Sequence, residues 1–212
     1  MNKKIIILLI ALIAIVIIGI VIYMFITTAN NSNRNNAINP NESNNNVTEQ
    51  NPNNDQNILV LYFSMSGNTE KVANIIHDNV GGDIIKLETV EEYPSDYDEL
   101  VDYAQEEQQE NARPELSTKI DDIEAYDIIF LGYPNWWGDM PMPIYTFLEE
   151  YDLREKTIAP FITHGGSGLS NTPENIQGEE PKATVTEGLA IYGSDARDSE
   201  SDVTNWLTSL GF

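Results

Sequence analysis

The 212-residue chain carries 34 acidic against 11 basic residues, a net charge of −23, and no cysteine. The acidic excess argues against nucleic acid and anionic lipid as partners of its globular part. The missing thiols exclude disulfides, cysteine nucleophiles and cysteine-ligated metal or iron–sulfur centres.

Met1-Asn2-Lys3-Lys4 precedes an uncharged apolar run from Ile5 to Ile26. A helix of that length, at about 1.5 Å per residue, is about 33 Å long and covers a hydrocarbon core of about 30 Å. Residues 1–27 are therefore predicted to be an N-terminal membrane anchor, inserted through residues 5–26. A secretory signal is the competing reading, with Thr27-Thr28-Ala29 as a weak cleavage site, but its apolar core is usually shorter. Lys3 and Lys4 before the run, against Arg34 after it, put the N-terminus in the cytoplasm. The expectation is a single-pass protein of the cell membrane with its soluble domain extracytoplasmic. Residues 28–57, crowded with asparagine and poor in apolar groups, read as a disordered linker.

Residues 58–212 make one domain of ordinary size. Three basic and three acidic residues precede residue 58, so the domain holds eight basic against thirty-one acidic residues and carries the whole net charge. Such a surface can steer a basic protein partner, although solubility accounts for it equally well.

Within the domain, Ile58 to Phe63 is a short apolar strand. It ends in Ser64-Met65-Ser66-Gly67-Asn68-Thr69, after which Val72, Ile75, Ile76 and Val80 fall at helical spacing. Gly81-Gly82 stops this helix, and Asp83 to Leu87 is a second strand. Tyr97, Leu100, Val101 and Ala104 give a helical stripe that ends before Pro114. Tyr126 to Gly132 is a continuous apolar run, as expected of a strand covered on both faces. Pro143 to Leu148 opens a helix. Thr157 to Thr163 is a fourth strand, with Pro160 awkward inside it. A short helix lies around Thr172 to Gln177. Ala183 to Ile191 is a fifth strand, interrupted by Gly188. Val203, Trp206, Leu207 and Leu210 form a last amphipathic helix. Alternating strands and helices predict a parallel sheet with helices on both faces.

A strand, a hydroxyl-rich loop and a helix N-terminus together suit an anion, because backbone N–H groups and the helix dipole favour negative charge. The loop is not a P-loop, since Asn68 rather than lysine precedes Thr69. It is not a dinucleotide fingerprint, because Gly67 stands alone. An ordinary helix-capping turn is the bland alternative. In doubly wound sheets ligands bind beyond the strand C-termini, where strand order reverses, so three loops should meet. The second is Tyr133-Pro134-Asn135-Trp136-Trp137-Gly138-Asp139-Met140-Pro141, and the third Thr163-His164-Gly165-Gly166-Ser167-Gly168. Phosphate donors, flat aromatics and an open glycine backbone describe a mononucleotide-like cofactor. His77 reads as a surface residue and Trp206 as core. His164 could donate to a ligand or merely cap its loop.

The Ser64–Thr69 loop resembles the phosphate loop T/S-x-T/S-G-N-T of the flavodoxin family. The Tyr133–Pro141 and Thr163–Gly168 loops, with Gly188-Leu189-Ala190-Ile191-Tyr192-Gly193-Ser194, look most like a subgroup of Gram-positive bacteria. The resemblance covers residues 58–212. It implies a flavodoxin-like five-stranded sheet in order 2-1-3-4-5, noncovalent FMN, and one- or two-electron transfer. Carried over residue by residue, Ser64, Met65, Ser66, Gly67, Asn68 and Thr69 would hold the phosphate. Pro134, Asn135, Trp136, Trp137 and Gly138 would flank the ring, one tryptophan stacking on it, and His164, Gly165 and Gly166 would lie at its polar edge.

The expected function is a membrane-anchored FMN electron-transfer protein serving a redox partner protein or a small quinone-like acceptor. The alternatives are an FMN-dependent NAD(P)H or quinone reductase and a non-redox flavin-binding or sensing module. No residue set for general acid–base or nucleophilic catalysis stands out, so an enzyme here would be an oxidoreductase. No arginine pair precedes the apolar run, so the chain is expected to cross unfolded and take up FMN outside. An acidic surround should lower the flavin potential.

Overall fold

The computed structural model describes residues 56–212. The predicted anchor and all but the last two residues of the predicted linker lie outside the described residues. Among the described residues no helix is long and apolar enough to cross a membrane. Asn57, at the end of the predicted linker, is bonded to the domain. The Asn57 backbone N–H donates to Asp127 Oδ2 at 2.9 Å and its side-chain amide to the Ala125 carbonyl at 2.8 Å.

The chain alternates strand and helix: β1 Ile58–Tyr62, α1 Asn68–Val80, β2 Asp83–Lys86, α2 Tyr97–Glu110, β3 Ile128–Pro134, α3 Met142–Glu150, β4 Thr157–His164, α4 Thr172–Glu179, β5 Thr184–Val185, β6 Leu189–Tyr192 and α5 Glu200–Leu210. All strand pairings are parallel and the order is β2-β1-β3-β4-β5, with β6 also on β4. In β1 all five residues are buried, as are six of seven in β3, which is why these strands read as unbroken apolar runs. Edge strand β2 ends in exposed Asp83 and Lys86, charges that discourage further pairing.

Strand alternation divides the core. Leu59, Leu61 and Phe63 pack with Ile144, Phe147 and Leu148 of α3 and Ile176 of α4, and α2 adds Leu100 and Tyr103. Ile58, Val60 and Tyr62 face the other way, onto Val72, Ala73 and Ile76 of α1 and Val203, Trp206 and Leu207 of α5. Both faces are covered, as a doubly wound sheet requires.

The predicted fifth strand is two segments on one edge. Ile158 pairs Val185 and Phe161 pairs Leu189, so two residues of β4 oppose three of the outer chain. The offset explains Pro160. Ile158 O accepts from Thr186 N at 3.0 Å, so alternation points the Pro160 nitrogen at the same edge, where the ladder is already broken. The Glu187 carbonyl in this break accepts from Trp206 Nε1 at 2.9 Å, consistent with the core role expected of Trp206.

Candidate functional site

Strand order reverses between β1 and β3, and the loops after β1, β3 and β4 meet there. After β1, Ser64 is buried, Met65 is 39% exposed and Ser66 is exposed. Among the described residues neither serine side chain has a hydrogen-bond partner. Gly67 caps α1 at φ 77°, and no side chain caps the helix. The N–H groups of the first turn therefore lack the side-chain acceptor that helix starts usually carry, which disfavours the capping-turn reading. Thr69 is buried, with its hydroxyl 2.8 Å from that of Thr163 in β4. It ties two loops together and offers less to a ligand than the serines do. A cation stands beside the loop: Lys71 Nζ donates to Asn68 Oδ1 at 3.1 Å. Glu70, also in the first turn, accepts from Tyr62 OH at 3.3 Å.

After β3, Asn135 binds this loop to the next. Its N–H donates to the Thr163 carbonyl at 2.8 Å, and its amide to the Gly168 carbonyl at 3.0 Å and Ser170 Oγ at 2.9 Å. Asn135 Oδ1 accepts from Gly138 N at 3.1 Å. Trp136 and Asp139 exchange backbone bonds of 3.0 and 2.9 Å around Trp137 at φ 53° and Gly138 at φ 82°. Positive φ at both central residues marks a type I′ turn, which favours glycine at Gly138 and strains Trp137 by roughly 1–2 kcal/mol.

The turn separates the two tryptophans. Trp136 stands edge-on to Phe63 at 5.4 Å and to Tyr93 at 5.6 Å, packed on the core. Trp137 is 51% exposed, held by its indole N–H to the Val101 carbonyl at 3.1 Å. Asp139 locks the loop from behind, accepting from Met140 N at 2.8 Å, Tyr145 OH at 3.0 Å and Asn175 Nδ2 at 2.9 Å.

At the end of β4, His164 Nδ1 accepts from Gly166 N at 2.9 Å, and its ring lies 4.4 Å from that of Tyr192. That bond leaves the neutral imidazole proton on Nε2. Burial lowers the His164 pKa. Gly165 and Gly166 are exposed, and a Cβ at either would meet nothing within 4 Å. Their backbone is open to a flat ligand.

Residues 57–210 match the sequence profile of the family described as Flavodoxin. The chain belongs to the flavodoxin family. A curated relative, the flavodoxin-like domain-containing protein BilS of Clostridioides difficile (strain CD3), is 34% identical over 137 residues, 64% of this chain. The match covers 62% of that protein, less than two thirds of its length. Among solved structures, a candidate flavoprotein from Bacteroides eggerthii DSM 20697 is 32% identical with a TM-score of 0.66, covering 74% of this chain and 99% of its own. A flavoprotein in complex with FMN from Lactobacillus acidophilus NCFM is 28% identical with a TM-score of 0.56, covering 69% and 99%.

The flavodoxin domain thus gathers Ser64 to Thr69, Pro134 to Gly138 and His164 to Gly166 at one end of its sheet. The donor set suits a phosphate ester on a flat ring. Unshared hydroxyls and an uncapped helix start are free to donate to an anion, while an aromatic turn and a bare glycine backbone leave room beside them for a planar group. Sequence reasoning quoted Asp139, Thr163 and Tyr192 only as parts of their loops and did not name Tyr93, so the roles of these four were not foreseen. Asp139 braces the ring-side turn, Tyr93 backs Trp136, Thr163 pairs Thr69, and Tyr192 covers His164. Only Asp139 carried a local signal, as an acid beside the two tryptophans.

Proposed function

We propose that the domain is an FMN-dependent electron-transfer module, tethered by residues 5–26 to the cell membrane with the domain on the extracytoplasmic side. The uncapped start of α1, with the unshared hydroxyls of Ser64 and Ser66 beside it, carries this reading. It is an anion site at the switch point of a flavodoxin sheet, next to an aromatic loop. The FMN complex of the Lactobacillus acidophilus relative supports the choice of ligand.

Bound FMN would supply reversible one- or two-electron chemistry. Ser64, Ser66 and the backbone of Met65 to Thr69 hold the phosphate by neutral donors. Trp137, exposed and strained, offers an indole face, and Trp136 with Pro134 walls the site against the core. Asn135 keeps the second and third loops together and Gly138 closes the turn. The Gly165 and Gly166 backbone would serve the ring edge, and His164 would offer Nε2–H as a donor there. The thirty-one acids of the domain would oppose added negative charge in the site and would favour a basic protein partner.

Titration of the full-length chain in detergent with FMN should quench flavin fluorescence at one equivalent; unchanged fluorescence would defeat the proposal. If NADH or NADPH reduces the bound flavin rapidly and a quinone reoxidises it catalytically, the reductase reading takes its place. Protease shaving of intact cells tests the tether: a domain shielded until lysis contradicts an outside location.

A further inference from the structure

Glu107 of α2 is a buried acid, 8% exposed, that the flavin site leaves unused. Its Oε2 accepts from Tyr93 OH at 2.6 Å. Among the described residues Oε1 has no hydrogen-bond partner, and the carboxylate has no ion pair. A charge taken out of water is ordinarily paired. Burial raises the Glu107 pKa, and the charge of Glu91 adds to the rise.

Glu107 lines a cavity of about 380 Å³ between the chain after β2 and α2. Tyr93 and Tyr103 wall it, their rings edge to face at 5.4 Å. Val90, Ala112 and Pro114 add apolar surface. Tyr103, Glu106, Glu107 and Glu110 fall at i, i+3, i+4 and i+7 of α2, on one helix face. That is the spacing of a packing face, yet three of the four are acids. Glu91 and Glu115 bring the carboxylates of the lining to five. The one cation of the lining, Arg113, is spent. Its Nε and Nη2 each meet Glu149 at 2.7 Å, and its Nη1 donates to Asn111 and to the Ala112 carbonyl.

We propose that this cavity binds an organic ammonium group, with Glu107 as its counter-ion and Tyr103 as its aromatic wall. A hard metal ion wants oxygen on every side, and among the described residues no group of three acidic side chains is placed to hold one. An alkylammonium wants what the cavity offers: a carboxylate at its head, an aromatic face and apolar surface along its stem. Its three N–H donors match an unpartnered Oε1 with Glu106 and Glu110 one turn to either side. Tyr93 links the cavity to the aromatic turn, because it stands edge-on to Trp136 at 5.6 Å. An occupant is therefore visible in tryptophan emission. The proposal stands apart from the flavin reading, since none of the three switch-point loops lines the cavity.

The test titrates the flavin-free full-length chain in detergent with n-butylammonium chloride at neutral pH, read by calorimetry and tryptophan emission. Saturable binding is expected, and sodium chloride at the same ionic strength should give none. Glu107→Gln keeps the side-chain volume and an acceptor for Tyr93, and should weaken binding at least tenfold, as loss of a charge-assisted partner does. Tyr103→Leu should weaken it roughly threefold, the share of one exposed cation–π contact. Asp202→Asn, on α5 outside the cavity, should leave it unchanged. Absence of saturation would overturn the proposal, and so would a Glu107→Gln variant that binds as the wild type does. An equal loss in Asp202→Asn and Glu107→Gln would also overturn it, because bulk charge would then explain the response. The peptide acetyl-Gly-Lys-Gly-amide separates two sources of the ammonium. Binding at least as tight as that of n-butylammonium, absent for acetyl-Gly-Gln-Gly-amide, assigns the site to a lysine side chain of a partner protein. Rejection of the lysine peptide by a chain that takes n-butylammonium keeps the site and assigns it to a free amine.

Discussion

At the phosphate end of the site, six consecutive residues and the helix they open supply the donors, and the N–H groups point outward because the helix begins there. At the ring end the bonds that shape the loop are long-range. Asn135 reaches Gly168, Trp137 reaches Val101 and Asp139 reaches Asn175, each across more than thirty residues. The first end is a local motif whose ligand donors do little to hold the fold. The second exists only once the fold has closed, so the bonds that shape it also stabilise the domain. Damage at the two ends should therefore separate into loss of affinity alone and loss of affinity together with stability.

The largest expected effect is at the ring end. Asp139→Ala removes the acceptor of Met140 N and Tyr145 OH and leaves Asn175 Nδ2 only the Tyr145 hydroxyl at 3.4 Å, and should cost about 3 kcal/mol. Thermal melting should fall by roughly 10 °C, with flavin binding weakened in parallel; an unchanged melt would show that the turn stands without its brace. Ser64→Ala/Ser66→Ala is the counterpart at the phosphate end. It should weaken FMN by roughly thirtyfold, about 2 kcal/mol of binding, while melting stays within about 1 °C. A large loss of stability there would erase the distinction between the ends. Asn135→Ala should fall between them, with affinity down roughly tenfold and stability down about 1 kcal/mol, read from calorimetry and titration of one sample.

Two smaller changes probe the support behind the ring-side wall. Tyr93 OH donates to Glu107 at 2.6 Å, yet burial outweighs that bond and raises the Glu107 pKa. The folded state therefore holds this proton more tightly than the unfolded chain. Its stabilising contribution is present at low pH and is lost as pH rises through the ordinary carboxylate range toward the folded value. Glu107→Gln should melt roughly 2–3 °C above wild type once the pH is above the folded-state titration of Glu107, with the gap closing on acidification; a pH-independent gap would remove this titration from the account. Tyr133 near the end of β3 is wholly buried, and among the described residues its hydroxyl makes no well-formed hydrogen bond, with Thr172 facing it. Tyr133→Phe should leave stability within about 0.5 kcal/mol of wild type or raise it. A clear loss in calorimetry would mean that the hydroxyl has a partner.

Most of the architecture was legible because its signals are local. Apolar runs marked the buried strands, helical spacing marked α1 and α5, and Gly81-Gly82 and Pro114 marked boundaries that recur in the structure. Pro160 read as a defect because its reason lies on another strand: the outer chain carries one residue more than β4 beside it. The site divides the same way. The serines and Gly67 were readable as donors from order alone. The two tryptophans, adjacent in sequence, could not be told apart, because the type I′ turn that sends Trp136 to the core and Trp137 to solvent closes only when Asn135 meets Gly168.

What the sequence by itself determined is therefore the alternating α/β layout, the three loops at the strand ends and the hydroxyl-rich make-up of the loop after β1, since each depends on neighbours within a few residues. The tertiary structure decided which tryptophan is exposed, that Thr69 is spent on Thr163, that Asp139 braces the ring-side turn, and that Glu107 lines a cavity whose one cation is spent on Glu149. Those outcomes depend on which distant backbones the sheet brings together, and no local pattern along the chain encodes such a meeting.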